Sequence, residues 1–146
     1  MNAGMFLYST SLLNDSFFED TQLFITELND KGAMGFVVNK LFPRKFNELV
    51  EFRHSIAFPL YDGGPVDREH LYFLHRRPDL IEGGIPVAGD IYMGGDFKAA
   101  VKYINNKSIA THDIRLFIGY CGWDPLELEE EIAEGSWEIK NTGALF

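Results

Sequence analysis

Cysteine is nearly absent from this 146-residue chain. Cys121 stands alone, so no internal disulfide can form, and four scattered histidines add no zinc-ligand spacing to it. Positive charge is scarce too: 13 lysines and arginines face 22 aspartates and glutamates, for a net charge of -9. A field of that sign repels phosphate backbones and anionic lipid surfaces. With no helix-turn-helix pattern and no basic stripe, direct DNA contact is not expected. Long hydrophobic runs are missing as well, and nothing approaches the ~20 apolar residues of a membrane helix. Met1 to Ser11 holds neither a basic stretch nor an apolar run of signal-peptide length, so a cytoplasmic protein is the expectation.

What is present is enough apolar matter for one core. Hydrophobic residues make up 46%, and the aromatics, 14%, run through the whole length without a repeat or linker, which reads as one domain over residues 1–146. A chain of this size hides roughly 68–70% of its unfolded surface, so no metal or disulfide is required for folding.

Strands are predicted at Met5–Tyr8, Gln22–Thr26 and Ala33–Asn39, the last two joined as a hairpin through Asn29-Asp30-Lys31-Gly32. Further strands are expected at Phe58–Asp62, Leu71–Leu74, Ile91–Met93 and, apolar on both faces, Ile114–Cys121. The spacing of Phe46, Leu49 and Val50 predicts a short amphipathic helix. A second helix starts from Asp96, with Phe97, Ala100, Val101 and Ile104 on one face. A third is expected from Asp124-Pro125-Leu126-Glu127, read as N-cap, N1 and capping-box glutamate, with Leu128 and Ile132 inward and Gly135 as its end. Ser136–Ile139 begins a last strand. Strands without a regular βαβ rhythm indicate an α+β domain, a curved mixed sheet with about three helices, rather than a three-layer α/β sandwich.

Candidate chemistry is sparse. His70 and His75 flank a strand at an odd separation, on opposite faces, and cannot share a metal. His54 and His112 stand among charges. Cys121, in Gly119-Tyr120-Cys121-Gly122-Trp123, has acids rather than a histidine beside it and reads as a buried structural thiol. Gly63-Gly64-Pro65-Val66 lacks the lysine of a phosphate loop and reads as a backbone corner. Gly119 and Gly122, beside Tyr120 and Trp123, also suit a shallow ligand cleft. Glu127, Glu130, Glu131 and Glu134 make the last helix strongly acidic, a solvated face or a dock for a basic partner. Trp123 and Trp137 bracket that helix and are expected to pin it to the sheet.

Gly4, Asp15-Ser16-Phe17-Phe18, Gly32–Lys40, Gly63–Val66, Gly119–Trp123 and Leu128–Trp137 occur in an order that resembles the YqgE/AlgH family of bacterial proteins. The resemblance implies a compact α+β fold with a curved mixed sheet, and no established activity, cofactor or catalytic residue. It also brings the label of transcriptional regulator, which rests on a genetic effect. The family pattern has a Gly-Gln pair where this chain has Leu126-Glu127, so a role for that glutamine does not carry over. The shared blocks supply the candidate binding residues: Asn39, Gly63, Gly64, Pro65, Gly119, Tyr120, Gly122 and Trp123.

The expectation is therefore a non-catalytic binding or regulatory module, without cofactor or metal, acting through a protein or small-molecule partner. The rival is a hydrolase or isomerase whose acids converge only in the fold, from Asp62, Asp67 and Asp90 with Tyr120 or His70.

Overall fold

The computed structural model describes residues 2–140, 143, 145 and 146. Among these, nine strands share one sheet: β1 (Phe6–Ser9), β2 (Gln22–Asn29), β3 (Gly32–Val37), β4 (Leu60–Asp62), β5 (Val66–His75), β6 (Ile85–Ala88), β7 (Ile91–Met93), β8 (Ile114–Trp123) and β9 (Trp137–Lys140). Two α-helices accompany them, α1 (Phe97–Asn105) and α2 (Glu127–Ala133). The spatial order is β6-β7-β5-β8-β3-β2-β1-β9, with β4 beside β8. The β4–β8 pair is parallel and the others are antiparallel, so the sheet is mixed. The predicted β2–β3 hairpin forms, with Asn29 paired to Gly32.

β8 organises the layers. Ile114, Leu116 and Ile118 enter the core beneath α1, while Phe117 turns to the opposite face, as the pleat requires. Beyond Gly119 the parity reverses: Cys121 and Trp123 join the core beneath α2, and Tyr120 packs on the Phe117 side. Gly119 has φ +71°, a left-handed step that a side chain disfavours, and it breaks the alternation. Opposite it, β5 inserts Asp67 to His70 between the pairs Val66–Tyr120 and Leu71–Ile118. Both helices therefore cover one face. Phe24, Phe36, Val38, Leu74 and Phe117 form the core of the other. One helix-bearing face excludes the three-layer alternative.

Three expectations need correction. The helix count is two, because Phe46–Glu48 and Val50–Phe52 are separate 3-10 turns split by an extended Leu49. The split turns Val50 outward, leaving it 79% exposed, while Phe46 stays buried and stacks on Phe52 at 4.5 Å. Asp124 does not cap α2. Its carbonyl accepts from Glu127 N–H at 3.0 Å, with Leu126 at φ +68° and ψ -8°. That is a type II turn with Pro125 at its first corner, and the helix begins after it with no side-chain cap. β6 was not expected, since Pro86 lies within it; the strand sits at the sheet edge, where a missing N–H is tolerated.

α1 matches its sequence signals, with the Asp96 carboxylate accepting from Ala99 N–H and Ala100 and Ile104 buried. α2 ends in a Schellman motif: Gly135, at φ +87°, donates to the Ile132 carbonyl and Ser136 to that of Glu131. Leu128 is the buried anchor of α2. The two tryptophans do pin this helix, through one acceptor. Glu131 Oε1 receives the indole N–H of Trp123 at 3.2 Å and of Trp137 at 3.0 Å. Phe18 fills the space beside both rings.

Glu131→Ala leaves two indole donors without their acceptor and is expected to cost about 2–4 kcal/mol of stability. Glu130→Ala, one position away on the exposed face, should change it by less than about 0.5 kcal/mol. Urea denaturation of both variants at neutral pH checks this; equal effects contradict it.

Candidate functional site

The glycine corner is closed by its own backbone. Gly63 N–H donates to the Ile118 carbonyl and the Gly63 carbonyl accepts from Val37 N–H, both at 2.9 Å. A Cβ on Gly64 would land on the Tyr120 carbonyl oxygen, and one on Gly119 would collide with that of Gly64. The absent side chains are thus taken up by chain crossing chain. The Cys121 thiol donates to the Gly63 carbonyl at 3.4 Å beneath this crossing. Burial pushes the thiol up to about 12, so it stays protonated at neutral pH and is a poor nucleophile.

The other residues singled out in the sequence serve separate places. Asn39 donates to the Asp20 carbonyl and accepts from Gln22 N–H, tying the end of β3 to the loop before β2. Pro65 and Gly122 are exposed, Trp123 is buried beneath α2, and Tyr120 meets Tyr72 edge-on at 5.3 Å. Glu127, Glu130 and Glu134 lie on the exposed face of α2, whereas Glu131 is turned inward to the indoles. Among the described residues no group of three or more histidine, cysteine, aspartate or glutamate side chains is placed to hold a metal ion.

A different feature has the form of a ligand site. Between the 3-10 turns, the β5 insertion and the start of α1 lies a groove of about 580 Å³. Its apolar floor is Phe42, Leu49, Phe52, Leu71, Phe97 and Ile118, and its polar rim Glu51, Arg68, Glu69 and His70. Three of the rim residues come from the β5 insertion. Asp67, at φ +51°, begins that insertion, and its carboxylate gathers the Tyr72 hydroxyl at 2.5 Å and His70 Nδ1 at 2.6 Å. Arg68 reaches back to Asp62 with Nη1 to Oδ1 at 2.5 Å and Nη2 to Oδ2 at 3.3 Å, and donates to the Gly64 carbonyl at 2.9 Å.

The rival's acids are therefore divided. Asp62 is paired with Arg68, Asp90 sits at the β6–β7 turn, and Asp67 holds His70 and Tyr72. With Nδ1 engaged, His70 keeps Nε2 free at the groove. Sequence spacing hid this pair, because residues three apart in a straight strand face opposite ways; only the insertion folds them together.

Comparison with known proteins agrees with this architecture. The sequence profile of the AlgH-like family, DUF179, matches residues 6–144. The chain belongs to the AlgH-like family. A UPF0301 protein of Chlorobium limicola is 36% identical over 137 residues, covering 94% of this chain and 73% of the relative. A UPF0301 protein of Bacteroides thetaiotaomicron is 35% identical over 137 residues, covering 93% and 69%. The solution structure of the AlgH protein from Pseudomonas aeruginosa superposes with a TM-score of 0.76 at 22% identity, covering 97% of this chain and 77% of that one. A crystal structure of a Corynebacterium diphtheriae protein gives 0.77 at 18% identity, covering 98% and 77%. At these identities the two structures show a shared fold.

In this AlgH-like chain the two strand histidines titrate in opposite directions. The hydrogen bond to Asp67 raises His70 above its ordinary 6.5. Burial lowers His75, whose Nε2–H donates to the Gly94 carbonyl while Nδ1 accepts from Arg77 N–H, fixing a neutral tautomer. His70 thus contributes stability below about pH 6.5 that is lost as pH rises through its raised value. His75 does the reverse: its contribution is full above about pH 6.5 and is lost as pH falls toward its lowered value. His70→Gln removes the first effect alone, so its Tm should drop more steeply than that of the parent between about pH 7.5 and about pH 5.5. Scanning calorimetry across that range checks the sign; an equal or shallower drop contradicts it.

Proposed function

We propose that this AlgH-like protein is a binding module that takes a small amphipathic molecule into the groove beside the β5 insertion, without turning it over. The groove carries the reading. About 580 Å³ falls within the roughly 300–1,000 Å³ usual for small-molecule sites, and an apolar floor with a few polar groups on one side is their usual composition. Aromatic rings at Phe42, Phe52 and Phe97 offer area for an apolar body. Arg68 and His70 stand where a polar head would lie, each already oriented by an aspartate. In a binding module the Asp67–His70 pair orients the head group; this is also the one arrangement that favours the acid–base reading. A regulatory role would run through this ligand or a protein partner rather than through DNA, given the net charge of -9.

N-phenyl-1-naphthylamine, a neutral probe that fluoresces in apolar surroundings, should bind the native protein saturably at one site per chain. Val50→Glu changes a residue that lines the groove yet is 79% exposed, so the fold tolerates it. It should weaken the probe about tenfold. Titration of both proteins by fluorescence checks this. Affinity unchanged by Val50→Glu, or no saturable binding below the unfolding temperature, contradicts the proposal.

A further inference from the structure

Arg115 is a cation without a counter-ion. It lies on β8, half-buried, with its guanidinium 4.1 Å from the Tyr61 ring and Nη1 donating to the Val38 carbonyl at 2.9 Å. Every aspartate and glutamate of the chain is among the described residues, and none forms an ion pair with it. The contrast with Arg68 and Arg77 is direct: the first is paired with Asp62, the second with Asp79 and Asp113. In a chain with 22 acids an uncompensated, partly desolvated arginine is the exception, and a charge taken from water without a partner is costly. Burial lowers the Arg115 pKa from its ordinary value, with the Tyr61 hydroxyl opposing.

Beside this guanidinium is a pocket of about 190 Å³, lined also by Tyr61, Thr111, His112, Ile114 and Phe146. Thr111 and His112 bring polar groups. Arg76 adds a second cation at the edge, over the Phe146 ring at 5.0 Å and bonded to the His112 carbonyl at 2.8 Å. Asp113, two residues before Arg115 in the chain, is already engaged by Arg77 and by His112. We propose that this pocket binds a small oxyanion, a phosphate or carboxylate group, with Arg115 as its counter-ion. Most of the guanidinium fork is unused by the protein, and that fork matches such oxygens two at a time. The space, about 190 Å³ against about 580 Å³ for the groove, suits the charged group on a short stem. This site is separate from the groove and does not depend on it.

The test titrates sodium phosphate and sodium acetate separately into the protein, with ionic strength held constant by sodium chloride. Two-dimensional NMR follows the Arg115 Nε–H and the amides of Tyr61, Thr111 and His112. Saturable shifts confined to these groups are expected with at least one of the two anions, and which one responds assigns the head group. Arg115→Lys should bind about tenfold more weakly, since it keeps the charge and loses the fork. Arg115→Gln should abolish the shifts. Because Arg115→Gln also removes the bond to Val38, Thr111→Glu is the second variant. It places a carboxylate at the mouth, so Tm should rise without added anion and the shifts should vanish with Arg115 intact. Shifts that fail to saturate with either anion overturn the site, as do shifts that persist in Arg115→Gln or Thr111→Glu.

Discussion

One backbone crossing constrains the rest of this protein. Where Gly63-Gly64 leaves β4, it passes against Gly119-Tyr120 of β8 closely enough that a Cβ at Gly63, Gly64 or Gly119 would strike a carbonyl oxygen. The left-handed step at Gly119 then reverses which residues of β8 face the helices. Without that reversal Cys121 and Trp123 would point away from the α2 core. The crossing also hands β8 from β4, beside Leu116–Ile118, to β3, beside Cys121–Trp123.

The same constraint creates the groove. Four residues of β5 oppose one glycine of β8, so the chain bulges between Val66 and Leu71 and carries Arg68, Glu69 and His70 to the groove rim. Asp67 takes a conformation uncommon for a residue with a side chain, and bonds to His70 and Tyr72 hold it there. Thus the glycines act in architecture and the residues displaced by them supply polar groups. At the other end of β8, α2 is short and begins without a side-chain cap; Leu128 and the paired indoles on Glu131 fix it instead.

Local signals gave what depended on local physics. The hairpin at Asn29–Gly32, the Asp96 cap of α1 and the doubly apolar β8 all follow from residues within a few positions of one another. Asp124-Pro125 misled because proline suits both the first turn of a helix and the first corner of a type II turn, and Leu126 at positive φ decided for the turn. Glu131 was one of several acids on a helix in the sequence; its role depends on Trp123 and Trp137 converging from two strands. The groove was not legible, since its floor joins Phe42, Phe52, Leu71, Phe97 and Ile118 from distant segments and its rim exists through the β5 insertion. Arg115 was equally silent, because lack of a partner is a property of space and not of sequence.

Amide hydrogen exchange addresses the central claim most directly. The Gly63 amide, bonded to the Ile118 carbonyl, and the Val37 amide, bonded to that of Gly63, lock the crossing from both sides. If the sheet depends on it, both amides exchange only through global unfolding, with opening free energies equal to the stability from denaturant titration. Exchange of either amide through a local opening well below that value, while the β5–β8 amides around Phe73 and Leu116 stay protected, would contradict the account.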